Sequence, residues 1–317
     1  MGQIVAGYAT SHAFALIEPE DWDALRVGNR KHYTERTGHV PPDNPGVARE
    51  TLEGNKTRYQ RIRSAHDTVR RHIKEINPDV VIIAGDDQNE NLHVDNLPQF
   101  AVYVGGDYDT AKRFKSPERH FRSHQPLARD ILETGVARGF DLGSLGSFNN
   151  NRLVSHAHVQ VLDAFLADMP IPTVLLFVNA IHYPATEPAR CYALGQLLTD
   201  VVRVRPEQER AVIIGSGGLS HFTAGYPWKS YKGSRTYGAI SEDFDRNLLA
   251  QIEAGDGRKL AELSSFDLME HGNIELRSWV MVLGALGKVR PDFTVYEPFY
   301  RGVMGMGVAM WSNLEAA

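Results

Sequence analysis

Pro78-Asp79-Val80-Val81-Ile82-Ile83-Ala84-Gly85-Asp86-Asp87-Gln88-Asn89-Glu90 is the stretch that decides the fold. Val80 to Ala84 is apolar without a break, the pattern of a strand covered on both faces rather than one with a wet side. Its carboxyl end carries a cluster of polar and titratable groups, which is where open α/β sheets place their ligands. Just upstream, Tyr59, Ile62, Val69, Ile73 and Ile76 recur at helical spacing, and Asn77-Pro78 stops that helix. A helix, a tight stop and a doubly covered strand form the repeating unit of layered α/β proteins.

The same unit recurs along the chain. Ile4 to Tyr8, Ala101 to Val104, Thr173 to Val178 and Ala211 to Ile214 are further strand-sized apolar runs. Helical patterns occupy Leu127 to Val136, Ala157 to Leu166, Cys191 to Val202 and Phe244 to Ile252, with Ser155 as an N-cap candidate. The expected architecture is a single α/β domain over residues 1–317, with a central mostly parallel or mixed sheet flanked by helices. A helical segment at about 18–75 reads as an insertion. Residues 222–238 mix glycine, proline and aromatics, the composition of a loop that lines or covers a site.

Composition narrows the functional classes. Of 317 residues, 42% are hydrophobic and 23% charged, ordinary values for a soluble globular protein. The single cysteine, Cys191, excludes a disulfide framework and a cysteine-rich zinc site. A net charge of -5 without basic runs argues against nucleic acid as the main partner. No run is long enough to span a bilayer, and the N-terminus lacks the basic and apolar regions of a signal peptide. The expectation is a cytoplasmic protein with no membrane partner.

Four polar clusters follow buried strands: Thr10-Ser11-His12, Gly85 to Glu90, Asn179 to Pro184, and Gly215-Ser216-Gly217-Gly218-Leu219-Ser220-His221. Each has a bland reading. A lone histidine after a strand is usually a hydrogen-bonded loop residue, and Asp86-Asp87 is equally suited to capping a turn. The Gly215 to Gly218 turn lacks the lysine of a phosphate-binding loop. His156 and His158, two apart, cannot share one helix face. Four clusters at strand ends together carry more weight than any one alone.

Their order resembles one family. His12 after the first strand, Pro78 to Ile83 with its acidic tail, Ser155-His156-Ala157 and Asn179 through Tyr183-Pro184 match it in sequence. So do Arg190 to Gly195, Gly217 to His221 and Ile240-Ser241-Glu242-Asp243-Phe244-Asp245. The chain resembles the class III, LigB-type extradiol ring-cleavage dioxygenases, and among them the beta subunit of protocatechuate 4,5-dioxygenase. That resemblance runs from the N-terminus to about Trp311.

The resemblance implies a non-heme Fe(II) site held by two histidines and a carboxylate, with open positions for a catechol and dioxygen. It makes His12 the first metal histidine, His221 the acid-base residue and His156 a second catalytic histidine of the pocket. The family's second metal histidine falls at Gln88, and its metal glutamate at Asp243 with Glu242 beside it. Asp87 is the expected substitute for the lost imidazole, since an amide oxygen is a weaker ligand and suits harder cations. Asp86, Asn179, Tyr183, Tyr226 and Tyr237 are the expected substrate contacts. The expected cofactor is therefore Fe(II), or another divalent metal, or none, and the substrate a small aromatic acid. Three functions are compatible with these residues: a ring-cleaving dioxygenase with an altered triad, a metal-free lyase, hydrolase or isomerase, or a non-catalytic partner subunit. A homo-oligomer or a subunit pair is the expected assembly.

Overall fold

The computed structural model describes residues 1–12, 18–112, 116–148, 154–205, 208–222, 237–312 and 314. The elements run β1 (Gln3–Thr10), α1 (Trp22–Thr37), α2 (Pro45–Arg49), α3 (Leu52–Ile76), β2 (Val80–Asp86), β3 (Phe100–Tyr103), β4 (Tyr108–Thr110) and β5 (Arg119–Phe121). They continue α4 (Gln125–Ala137), β6 (Leu142–Leu145), α5 (His156–Val161), β7 (Thr173–Val178), α6 (Pro188–Arg203) and β8 (Arg210–Ser216). The chain closes with α7 (Glu242–Glu253), α8 (Ser265–Glu270), α9 (Leu276–Leu286), β9 (Phe293–Phe299) and β10 (Met304–Trp311).

Eight strands form one sheet in the order β6-β3-β7-β2-β8-β1-β10-β9. Strands β7, β2, β8 and β1 are parallel neighbours, while β10, β9 and β3 join antiparallel to theirs. The sheet is therefore mixed, with a parallel centre. All seven residues of β2 are buried. Val80, Ile82 and Ala84 face the core under α6 and α9, with Leu194, Leu198 and Val280. Val81 and Ile83 face the opposite core with Ile62, Val69 and Phe165. The unbroken apolar run is thus explained by burial on both sides.

Helix α3, which lies largely in the 18–75 segment, covers the sheet directly. It is capped by Thr51, whose side chain accepts from Gly54 N, and stopped by Asn77 in the left-handed region. Its His66 bonds Thr10 Oγ1 at 2.9 Å, and its His72 the Tyr8 hydroxyl at 2.6 Å. Helix α9 and strand β10 are among the elements that escaped the sequence reading. Helix α9 is buried from Leu276 to Ala285, Arg277 and Ser278 included, so it presents no wet face. Strand β10 consists largely of glycine, methionine and alanine, residues with little strand preference, and is held by its place between β1 and β9.

Helices α6 and α9 cross at glycines. A Cβ on Gly195 would lie 2.0 Å from Met281 O, and one on Gly284 would lie 2.0 Å from Tyr192 O. Backbone sits against backbone here, so no side chain can yield. Gly284→Ala should therefore cost at least about 2 kcal/mol by forcing the helices apart, read as a lowered denaturation midpoint. An unchanged midpoint would show that the crossing is loosely packed.

Candidate functional site

The carboxyl ends of β1, β2 and β8 bring the polar clusters together. His12 follows β1, Asp86 ends β2, Ser216 ends β8, and Glu275 stands immediately ahead of α9. One ligand atom each from His12, Asp86 and Glu275 lie within 4.8 Å of one another, and all three residues are buried. His221 Nε2 lies 3.3 Å from Glu275 Oε1, and His12 Nε2 lies 3.8 Å from Glu275 Oε2. His156 completes the wall, its ring edge-to-face with His12 at 4.9 Å between centroids.

Hydrogen bonds fix the state of each histidine. Ser216 Oγ donates to Ala157 O at 2.5 Å, so it accepts from His12 Nδ1 at 3.3 Å. That places the His12 proton on Nδ1 and leaves the Nε2 lone pair facing the carboxylates. Burial outweighs the attraction of Glu275 and holds the His12 pKa down at about 4, so the ring is a neutral donor. His221 donates from Nδ1 to Leu219 O at 2.9 Å. Burial would lower its pKa, but the charge and hydrogen bond of Glu275 prevail and raise it to about 9. His156 Nδ1 bonds Glu90 Oε1 at 2.5 Å, and against the pull of burial this holds its pKa above the usual imidazole range.

The two carboxylates behave oppositely. Burial and the nearby Glu275 charge raise Asp86 well above the usual carboxylate range. Burial acts in the same direction on Glu275, but His12, His221 and the Gly218 N–H, at 2.7 Å, carry it well below that range. Gln88 lies between them: Nε2 donates to Glu275 Oε1 at 2.9 Å and to Asp86 Oδ2 at 3.1 Å. Two carboxylate acceptors require the amide N–H2 edge to face them.

The residues suit a divalent cation. Asp86 Oδ1 is buried without a hydrogen-bond partner, an acceptor that a cation would satisfy. The donors are one neutral imidazole and two carboxylates, with the Gln88 carbonyl in reach after a turn of its amide. This set is richer in oxygen than the two-histidine, one-carboxylate iron triad, and so favours harder cations. A cation must displace the proton from Asp86 and draw Glu275 from His221. Affinity should therefore rise with pH as Asp86 and His221, whose pKa is about 9, give up their protons, and loading should release protons. Titrations in buffers of different ionisation enthalpy read that release; pH-independent binding would contradict the site.

His12, Gln88, His156, His221 and Asp86 thus lie together at this edge of the sheet, whereas Asp243 and several other candidates lie elsewhere. Asp243 is exposed on the first turn of α7 and lines a separate cavity of about 660 Å³ with Ser241, His271 and Tyr300. The inward face of α7 belongs to Asp245, and a residue two positions away points outward. Glu242 lines the same cavity and bonds the Tyr300 hydroxyl and Arg246. Asp87 closes the loop after β2 by accepting from the backbone of Glu90, Asn91 and Leu92, so it is no substitute ligand.

Among the expected substrate contacts, Asp86 joins the cluster. Asn179 braces its own loop, accepting from His182 N and donating to His182 O and Pro184 O. Tyr183 is 83% exposed. Tyr237 packs edge-to-face on Tyr33. Tyr226 lies outside the described residues.

Glu275 and Glu90 were missed. Glu275 opens Leu276-Arg277-Ser278-Trp279-Val280-Met281-Val282-Leu283, and a carboxylate heading so apolar a run had to be buried with partners. Glu90 had only its place three residues after Asp87 as a signal.

Among known proteins, the chain is 24% identical over 293 residues to a 2,3-dihydroxyphenylpropionate/2,3-dihydroxicinnamic acid 1,2-dioxygenase of Rhodococcus sp, covering 77% of this chain and 88% of that one. Identity reaches 30% over 192 residues with a protein of the same name from Mycobacterium sp. (strain MCS), over 58% of this chain and 55% of that one. A gallate dioxygenase of Pseudomonas putida is 25% identical over 188 residues, 57% of this chain and 51% of the relative. The profile of the catalytic LigB subunit of aromatic ring-opening dioxygenases matches residues 37–308, most of the sheet and every residue of the site except His12. The chain belongs to that LigB family.

Proposed function

We propose that the protein is a divalent-metal-dependent extradiol-type dioxygenase acting on a catechol-like aromatic acid, with a metal site that departs from the iron triad at Gln88. The observation that carries this reading is the buried cluster of His12, Asp86 and Glu275 with an unpartnered carboxylate oxygen. His12, Asp86 and Glu275 would hold the cation, which when bound polarises a catechol and dioxygen at one centre. His221, once a cation draws Glu275 away and the ring gives up its extra proton, would take a proton at Nε2 from a substrate hydroxyl and return it to the product, as a general acid-base. His156, held by Glu90 through Nδ1 and edge-to-face with His12, would serve as a second proton donor. Gly217 lets the turn close onto the head of α9, where a Cβ would lie 2.6 Å from the Glu275 Cβ. Among the described residues no helix is long and apolar enough to cross a membrane.

The Gln88 bridge favours a second reading. Its amide already pairs with both carboxylates, so the site is closed without a cation and suits metal-free lyase, hydrolase or isomerase chemistry. The experiment is oxygen uptake and ring-opening absorbance with 2,3-dihydroxyphenylpropionate and gallate, after reconstitution with Fe(II) or Mn(II). Metal-dependent uptake supports the first reading; none, with full metal occupancy, overturns it.

Gln88→His should restore an imidazole beside Glu275 and Asp86. Fe(II) affinity is expected to rise at least about tenfold, with a smaller change for Mn(II). Competition titration against a chelator measures both. Equal Fe(II) affinity in the two proteins would show that Gln88 has no part in metal choice.

A further inference from the structure

Asp245 is fully buried and belongs to neither the metal cluster nor the acid-base pair. Its Oδ1 accepts from Ser220 N at 3.1 Å and Asn273 Nδ2 at 2.9 Å. Its Oδ2 accepts from Ser220 Oγ and from the Tyr296 hydroxyl, each at 2.6 Å. A Cβ on Gly305 would lie 2.3 Å from Oδ2, so the carboxylate occupies space left by a missing side chain. Four donors around one buried carboxylate make a rigid junction.

The junction joins two segments that carry the site. Ser220 precedes His221, and Asn273 lies two residues before Glu275. The same segments meet again where His221 N donates to Gly272 O at 2.9 Å and Trp279 Nε1 to Gly217 O at 2.8 Å. Leu219 N donates to Gly305 O at 3.0 Å and Gly305 N to Ser220 O at 2.8 Å, fastening the first segment to β10.

We propose that Asp245 is a positioning residue: it clamps the Ser220 and Asn273 segments together so that His221 Nε2 meets Glu275 Oε1. The proposal rests on the reading of His221 and Glu275 as working groups of one site. Tyr296 contacts the same carboxylate from β9, a strand that carries no site residue, and so serves as the control.

The test compares Asp245→Asn, Ser220→Ala and Tyr296→Phe in the full chain. Asp245→Asn keeps the shape but puts an N–H2 where an acceptor oxygen stood, leaving one pair of donors without it. Ser220→Ala deletes one hydroxyl. The first readout is the ¹⁵N imidazole resonances of His221, with His158 as internal reference. His158 bonds Leu176 O on β7, away from the junction. Asp245→Asn and Ser220→Ala should move the His221 resonances and leave those of His158. Both should lower kcat by at least about tenfold with KM changed less than about threefold. Tyr296→Phe removes an equally short hydrogen bond to the same carboxylate, yet should leave the His221 resonances and kcat close to wild type.

Unmoved His221 resonances in a folded Asp245→Asn or Ser220→Ala protein would overturn the proposal. So would turnover losses that follow melting temperature alike in all three variants. If Asp245→Asn does not fold, Ser220→Ala decides. If the wild-type chain cleaves no catechol, the resonance comparison still decides, and only the proposed activity falls.

Discussion

Glu275→Gln will abolish divalent-metal binding in the accessible range. Glu275 is the carboxylate on which the site is built: it faces His12 and His221, and takes hydrogen bonds from Gly218 N and Gln88. Groups that only support a metal ligand cost about 10–100-fold in affinity when changed. Loss of the charged ligand should exceed that, more than about 100-fold for Mn(II) or Fe(II) by calorimetry. The substitution also leaves a protonated His221 buried without its counter-charge. Breaking one side of a buried pair costs about 3–5 kcal/mol, unless His221 sheds its proton and recovers part of that loss. A lower melting temperature should therefore accompany the lost affinity and shrink at alkaline pH. Below the His221 pKa of about 9 the wild-type pair contributes stability, and as pH rises through that value the contribution fades in the wild type and the difference closes. Wild-type metal affinity in Glu275→Gln would remove the cluster as a metal centre.

His221→Gln should cost about 10²–10⁴-fold in turnover if the imidazole transfers protons. Its Nδ1 contact reaches only Leu219 O, within its own turn, but its Nε2 pairs with the buried Glu275 at 3.3 Å, so a lower melting temperature should accompany the substitution. The competing role is a brace for the glycine turn. A brace predicts activity loss in proportion to the drop in melting temperature, whereas an acid-base role predicts the loss with the protein still folded and metal-loaded. Near wild-type turnover in a stable variant would take His221 out of the mechanism and favour a non-catalytic subunit.

The site was half legible in the chain itself. His12, Asp86, Gln88 and His221 each lie at or just past the end of a doubly buried strand, and parallel strands deliver their carboxyl-terminal residues to one edge of the sheet. Asp243 misled because it stands in an acidic run at the head of a helix, where any of Glu242, Asp243 and Asp245 could face inward. The helical phase around Leu248, Leu249 and Ile252 selects Asp245 instead. Glu275 was hidden because nothing in the chain around it says that the head of α9 meets the strand ends.

The sequence by itself determined the layers. Unbroken apolar strands and periodic helices leave few ways to bury their surfaces, and those local patterns survive in β2, β7, β8, α3 and α6. Tertiary structure alone decided which carboxylates meet. Glu275 comes 187 residues after Gln88 in the chain and bonds it at 2.9 Å, a contact that no local period encodes. It exists because α9 is buried against α6 and β8, with Gly284 admitting the Tyr192 backbone, and the residue at its head is thereby set among the strand ends.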